Sequence, residues 1–259
     1  MGSKQTLSLL VDGITVVGQI VIPEDLPAEG GPAVIFCHGI PATKLDHSDS
    51  SYVEMAETAA AEGFVSVAFN FRGCGFSGGN FDTTSWVHDL QAVIDYVAAA
   101  PYVDRSRIAL VGFSHGGAVS VYVTANDPRV AALVACASPA ESGKVFGGER
   151  LASSIARFRE TGIIKDPDFP PSPEEWIAAF REISALRWVG QIAPRPLMII
   201  HGSEDELIPL HEAHELYAAA GQPKELVVLE GTGHRLRRNP RTMETAMRWL
   251  HATLVTVSK

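Results

Sequence analysis

The sequence predicts an α/β domain built on a mostly parallel central sheet, with helices on both faces. Short apolar runs typical of buried strands alternate along the chain with longer amphipathic stretches typical of helices. An Asp-Gly pair separates two alternating runs, residues 7–11 and 14–22, and this pattern predicts an antiparallel hairpin at the N-terminal end. The length of 259 residues fits one domain of this class.

The remaining elements follow from local patterns. An alanine-rich helix at 52–62 is expected to close at Gly63, and a stripe of apolar residues spaced three and four apart predicts a helix at 85–100. Further helices are predicted after Ser114, near 211–220 and at the C-terminal end. Predicted strands after the hairpin lie at 33–37, 64–71, 108–113, 130–136, 197–200 and 225–229.

The alternation stops between residues 138 and 190, where no strand is predicted. Two helical patches lie in this 138–190 segment, and the second opens with Ser172-Pro173-Glu174-Glu175, a capping box with proline at the first helical position. The chain therefore reads as a single domain, residues 1–259, with 138–190 as a small helical insertion.

Composition limits the classes of partner. Hydrophobic residues make up 46% of the chain and charged residues 20%, and the formal net charge of −9 argues against nucleic acid as a partner. No apolar run is long enough to cross a membrane, and the sequence starts without the apolar core of a signal peptide. Three cysteines in mostly apolar runs suit a reducing compartment, so a cytoplasmic location is expected.

One short stretch carries the strongest chemical signal, Gly112-Phe113-Ser114-His115-Gly116. An apolar run ends there and a helical stretch of small residues begins, which predicts a sharp strand-to-helix turn with the serine on it. Glycine on both sides suits a turn in which two backbones lie too close for a Cβ atom. The turn would lift the serine hydroxyl clear of the sheet, which suits a nucleophile.

A nucleophilic serine needs a base and an acid that orients the base. His234 lies in a glycine-flanked loop directly after the predicted strand at 225–229, and Glu204, Asp205 and Glu206 follow the predicted strand at 197–200. Loops at the carboxyl ends of parallel strands meet at one edge of the sheet, so Ser114, one of the three acids and His234 are expected to converge. The spacing alone leaves the choice among the three acids open.

The loop after the predicted strand at 33–37 reaches the same edge. There Gly39 allows a close approach of backbone, and the N–H of Ile40 can point into the site together with the N–H of His115. We expect the side chain of His38 to brace this loop from the core. The ring of His115 is expected to lie along the surface of its helix.

These motifs together resemble the α/β-hydrolase family, in particular small bacterial esterases of the feruloyl or cinnamoyl type, relatives of dienelactone hydrolases, and acyl-peptidase-like hydrolases. The resemblance implies that Asp205 is the acid, that Ile40 and His115 supply the oxyanion N–H groups, and that residues 138–190 form a cap. Ser114 departs from dienelactone hydrolases proper, which have cysteine there. The matching positions are His38-Gly39, 69–79, 112–116, His201-Gly202, Asp205, Pro209 and Gly233-His234.

The expected function is that of a serine hydrolase that cleaves short-chain or aryl carboxylic esters through an acyl-enzyme, with no metal and no organic cofactor. A peptidase, amidase or thioesterase with the same three residues is the enzymatic alternative, and a catalytically silent binding protein on this scaffold is the alternative from another class. His201, His211 and His214, with Glu212 and Glu215, could suggest a metal site, but no third ligand stands at zinc-site spacing and no metal is expected. Phe146, Phe158, Phe169, Trp176 and Phe180 are expected mostly to pack the 138–190 segment onto the domain.

Overall fold

A computed structural model of the protein describes residues 2–44 and 51–255. Its centre is an eight-stranded sheet with the strand order β1-β2-β4-β3-β5-β6-β7-β8. Residue 1 and residues 256–259 of the predicted 1–259 domain lie outside the described residues. Within the described residues no helix is long and apolar enough to cross a membrane.

The N-terminal hairpin consists of β1 (Ser3–Val11) and β2 (Ile14–Ile22), which pair antiparallel along their whole length. Asp12 and Gly13 both have positive φ, 51° and 78°, as the tight two-residue turn between paired strands requires. The hairpin prediction is confirmed.

Six parallel strands complete the sheet, and β2 joins them antiparallel to β4. The predicted α/β fold class is confirmed, with the mostly parallel sheet that the apolar runs indicated. The strands are β3 (Gly31–Cys37), β4 (Val65–Asn70), β5 (Val103–Phe113), β6 (Val130–Cys136), β7 (Leu197–Gly202) and β8 (Lys224–Leu229).

Helices cover both faces of the sheet. One face of the sheet forms an apolar cluster with α1 (Ser51–Ala61) and α9 (Pro240–Leu254). The other face forms a second apolar cluster with α2 (Thr83–Ala99), α3 (His115–Asn126) and α8 (Leu210–Ala219). Successive strand residues alternate between the two clusters, as the pleat of a strand buried on both sides requires.

The 138–190 segment connects β6 to β7 and contains no strand. Its helices are α4 (Ser142–Phe146), α5 (Leu151–Glu160), α6 (Pro173–Glu182) and α7 (Ala185–Trp188). Ser172 caps α6 as the capping pattern predicted, because its hydroxyl accepts a hydrogen bond from the N–H of Glu175 at 3.3 Å. The indole N–H of Trp176 donates to the carbonyl of Phe81 at 3.2 Å and thereby holds the segment to the loop before α2.

Candidate active site

Ser114 occupies the single residue between β5 and α3, and its backbone is strained. Its φ and ψ of 52° and −127° lie in the left-handed half of the map, where a side chain is costly. The turn is held by its own N–H, which donates to the carbonyl of Cys136 at the end of β6 at 2.8 Å. The residue remains partly exposed, so the hydroxyl is accessible on the turn.

Gly112 and Gly116 lie where the backbones are too close for a Cβ atom, as the sequence predicted. A Cβ at Gly112 would lie 2.7 Å from the Cα of Gly117, and a Cβ at Gly116 would overlap the backbone carbonyl of His38. The turn therefore packs directly against the loop that follows β3, without side chains between the two backbones.

His234 joins Ser114 to a buried carboxylate. Its Nε2 lies 3.0 Å from Ser114 Oγ, while its Nδ1 lies 2.9 Å and 3.0 Å from the two carboxylate oxygens of Asp205. The Asp205 side chain is fully buried and that of His234 is 14% exposed. Since a carboxylate can only accept here, Nδ1 carries the donated proton and Nε2 is free to accept from the serine hydroxyl.

Asp205 stays ionised despite its burial. Burial by itself raises the pKa of this carboxyl, but the hydrogen bond from His234 and two backbone N–H groups outweigh that effect and hold the pKa below its ordinary value. The backbone donors are the N–H groups of Leu207 and Ile208, at 2.9 Å and 2.8 Å. These bonds also fix the rotamer of the carboxylate that faces His234.

The structure brings Asp205, and neither neighbouring glutamate, to the imidazole. Glu206 accepts the backbone N–H of His234 at 3.0 Å, and this bond lowers the pKa of the exposed Glu206 carboxyl. The backbone N–H of Glu204 donates to the carbonyl of Thr232 at 3.0 Å. Both residues thus brace the loop that carries His234.

The loop after β3 passes against the serine. A Cβ at Gly39 would lie 2.8 Å from the Cβ of Ser114, so the backbone that leads into Ile40 runs beside the hydroxyl. No described residue accepts a hydrogen bond from the N–H of Ile40. The N–H of His115 opens α3, where the first N–H groups of a helix have no acceptor within the helix.

His38 braces this loop from the core, as the sequence analysis expected. Its Nδ1 donates to the carbonyl of Gly39 at 2.7 Å, and its Nε2 accepts the N–H of Phe71 at 3.0 Å. Burial lowers the pKa of the His38 ring to about 4, so the ring is neutral and can serve as donor and acceptor at once.

The expectation for the ring of His115 was wrong. The ring does not lie along the helix surface: the residue is 2% exposed, and its Nε2 and Nδ1 each lie 3.1 Å from a hydroxyl, those of Thr83 and Ser142. The cause is the 138–190 segment, since α4 and α6 cover this side of α3 and bring Ser142 and Phe180 onto the ring.

A family model described as "Alpha/beta hydrolase family" matches residues 34–245, well over half of the chain. The chain belongs to the alpha/beta hydrolase family. The turn at Ser114 after β5 and the loops that carry Asp205 and His234 are among the motifs on which the resemblance in the sequence rested.

Named relatives of this alpha/beta hydrolase cover most of the chain at low identity. The uncharacterised protein PA2218 of Pseudomonas aeruginosa is 25% identical over 86% of this chain and 72% of its own length. In its crystal structure the superposition has a TM-score of 0.75 and covers 98% of this chain and 94% of the crystallised chain, at 22% identity.

Two further similar proteins have names that state different activities. The uncharacterised peptidase YuxL of Bacillus subtilis is 25% identical over 88% of this chain, which spans only 34% of YuxL. The structure of the esterase Pf2001 of Pyrococcus furiosus has a TM-score of 0.70 and 20% identity, and the match covers 98% of this chain and 94% of Pf2001. At these identities the structural likenesses show the alpha/beta hydrolase fold.

Sequence reasoning missed three polar contacts of this site. His201, to which the sequence analysis assigns no contact with the acid, is fully buried, with its Nε2 2.9 Å from the carbonyl of Ile208 and 3.3 Å from Asp205. Thr83 and Ser142 were not singled out, although each begins a helix. Within the two described stretches, 2–44 and 51–255, no three metal-binding side chains lie together.

Proposed function

We propose that the protein is a serine hydrolase that cleaves carboxylic esters through an acyl-enzyme, with Ser114 as nucleophile, His234 as base and Asp205 as the orienting acid. The observation that carries the proposal is the continuous hydrogen-bond chain from Ser114 Oγ through both ring nitrogens of His234 to Asp205. A hydroxyl, a neutral imidazole and a buried carboxylate in this order activate the hydroxyl for attack on a carbonyl.

In this mechanism His234 takes the proton of Ser114 as the Oγ atom attacks the ester carbonyl. Asp205 holds the correct tautomer and stabilises the imidazolium that forms. His234 then gives the proton to the leaving alcohol, and the serine remains acylated. A water molecule repeats the sequence, and release of the carboxylic acid restores the free hydroxyl. The proposed steps use no metal and no organic cofactor.

The N–H groups of Ile40 and His115 are proposed to hold the oxyanion of the tetrahedral intermediate. Support comes from the close approach of the Gly39 backbone to Ser114 and from the position of His115 at the first turn of α3. Each such donor supplies about 3–4 kcal/mol of stabilisation in the transition state.

Short-chain or aryl acyl esters are the proposed substrates, and the 138–190 segment is the proposed cap of the single domain. Phe158, Trp176 and Phe180 are buried against one another and against Phe81, so their rings fill space and leave little of it for a long acyl chain. Phe146 and Phe169 are half-buried, and the Phe146 ring lies 6.5 Å from that of His115, the residue next to Ser114, which makes Phe146 the aromatic side chain of this segment best placed to meet a substrate.

The enzymatic alternative is cleavage of amides or thioesters with the same residues. The name of Pf2001 favours esters, whereas that of YuxL favours peptides, and the three reactions differ mainly in the leaving group. A catalytically silent binding protein would have no reason to keep the hydrogen-bond chain of Ser114, His234 and Asp205 intact.

A panel of substrates tests the proposal. We expect turnover of p-nitrophenyl esters of short and aryl acids, falling with acyl-chain length, and a loss of at least about a thousandfold in Ser114→Ala because the covalent step is removed. Parallel assays with thioesters and aminoacyl anilides rank the leaving groups. Full ester turnover in Ser114→Ala would contradict the proposal, and preference for the anilides would identify a peptidase or amidase.

A further inference from the structure

The imidazole of His115 is bonded on both edges to residues from different parts of the chain. Nε2 lies 3.1 Å from the hydroxyl of Thr83 at the start of α2, and Nδ1 lies 3.1 Å from the hydroxyl of Ser142 at the start of α4. Phe180 of α6 lies nearly parallel to the ring, at 30° and 5.0 Å between centroids. The residue next to the nucleophile is thus attached to three separate helices.

This ring is not a proton carrier. Burial lowers the pKa of His115 to about 3, so the ring is neutral at working pH, and both hydroxyl partners are themselves fully buried. A hydroxyl can donate or accept, so the neutral ring satisfies both of its nitrogens here in either tautomer. The arrangement fixes the ring orientation without any need for charge.

The same residue carries one of the two proposed oxyanion N–H groups. A ring that is bonded at both edges and stacked on Phe180 has no rotational freedom, so it also restrains the backbone to which it is attached. That backbone is already strained at Ser114, where relaxation of φ would turn the following N–H away. Donors aimed at an oxyanion are effective only when they are held in place beforehand.

We propose that His115 is a positioning residue whose imidazole, held between Thr83 and Ser142, aims its own backbone N–H at the oxyanion and makes that aim depend on the seating of α4 and α6. This inference rests on the proposed function. It predicts that loss of either hydroxyl lowers the rate of the chemical step, although neither hydroxyl touches the substrate.

The test uses Thr83→Val, Ser142→Ala, their double variant and His115→Phe, which keeps a ring without its nitrogens. We expect kcat for p-nitrophenyl acetate to fall at least about fivefold in each single variant and about thirtyfold or more in the double variant and in His115→Phe, with KM within twofold of the original. Ser184→Ala is the matched control, because its buried hydroxyl donates to the carbonyl of Ala140 at 2.7 Å within the same segment, whereas the His115 ring is bonded to Thr83 and Ser142. It should keep kcat.

A second readout separates positioning from general loosening. A trifluoromethyl ketone reacts when Ser114 Oγ bonds to its carbonyl carbon, the hydroxyl proton passes to His234, and the carbonyl oxygen becomes an oxyanion. Its inhibition constant should rise in proportion to the loss in kcat/KM across the variants, while that of the unfluorinated methyl ketone stays constant. Melting temperatures check that every variant is folded.

The inference is overturned if the variants lose no more kcat than Ser184→Ala, or if only KM and the melting temperature change. It is also overturned if ketone affinity does not follow kcat/KM. An unmodified enzyme that hydrolyses no ester would overturn the proposed function together with this inference, whereas an active enzyme with unaffected variants would overturn the inference alone.

Discussion

At the scale of single residues, the proposed nucleophile occupies a strained backbone position. Ser114 and Ala137 both have positive φ, 52° and 46°, and they flank the hydrogen bond from the N–H of Ser114 to the carbonyl of Cys136. Such strain persists only when the surrounding structure enforces it, and it collects at reactive positions. The protein therefore gives up stability at the turn to present the serine hydroxyl.

This strain predicts that Ser114→Gly is more stable than Ser114→Ala, by about 1 kcal/mol, because glycine tolerates positive φ and alanine does not. Urea unfolding of both variants measures the difference. The matched pair is Ser120→Gly and Ser120→Ala within α3, where glycine should be the less stable of the two. Equal stabilities at position 114 would mean that the turn is not strained.

At the scale of elements, the site depends on two places where backbone packs directly against backbone. The start of α3 lies against the carbonyl of His38, and Gly202 at the end of β7 lies against the loop at Thr232. In both places a side chain would separate a strand end from the loop that completes the site. The carboxyl ends of β3, β5, β7 and β8 therefore position the site through close contacts more than through side-chain packing.

Gly116→Ala tests this contact. We expect a loss of about 2–3 kcal/mol in the free energy of unfolding and a large loss of ester turnover, because the added methyl group meets backbone that cannot move aside. Gly78→Ala is the control, since a Cβ there meets only ordinary contacts, the nearest at 3.4 Å. Chemical denaturation and activity assays on both variants measure these effects. Similar small effects in both variants would show that the start of α3 and the loop after β3 have room to separate.

At the scale of the whole molecule, two buried neutral histidines tie stability to pH. The pKa values of His38 and His115 are lowered by burial to about 4 and about 3, whereas in the unfolded chain they return to about 6.5. The stability that depends on keeping these rings neutral is complete above pH 6.5 and is lost as the pH falls towards the folded values, because the unfolded chain takes up the protons first.

We therefore expect the free energy of unfolding to fall by about 2 kcal/mol for each of the two rings between pH 7 and pH 5. Urea titrations at pH 7, 6 and 5 measure the slope. His115→Phe should remove about half of this dependence, whereas His214→Gln, at an exposed position on α8, should leave it unchanged. A flat profile would show that the rings are solvated in the folded protein.

The sequence went far in predicting the fold, because its hydrophobic periods and turn residues are local. The Asp12-Gly13 hairpin, the capped α6 and the turn at Ser114 could each be read within a few positions. The choice of Asp205 over its two glutamate neighbours came from the family resemblance and not from local spacing, because the spacing does not show which carboxylate the N–H groups of Leu207 and Ile208 hold towards His234.

The burial of the His115 ring was not predicted, also because it depends on residues distant in the sequence. Its ring partner Ser142 lies 27 residues further along the chain, in a short helix whose placement no local pattern determines. The hydrophobic periodicity of α3 does not distinguish a buried from an exposed face, because this helix is buried on nearly all sides. Contacts between the 138–190 segment and the turn at Ser114 are the part of the site that only the three-dimensional structure shows.

The most direct test of the account is covalent trapping followed by mass spectrometry. With a fluorophosphonate, we predict a single adduct at Ser114, which depends on His234 as base and is strongly slowed in His234→Ala and absent in Ser114→Ala. An unmodified protein that stays unlabelled, or that carries its adduct on another residue, would contradict the claim that His234 and Asp205 activate this serine.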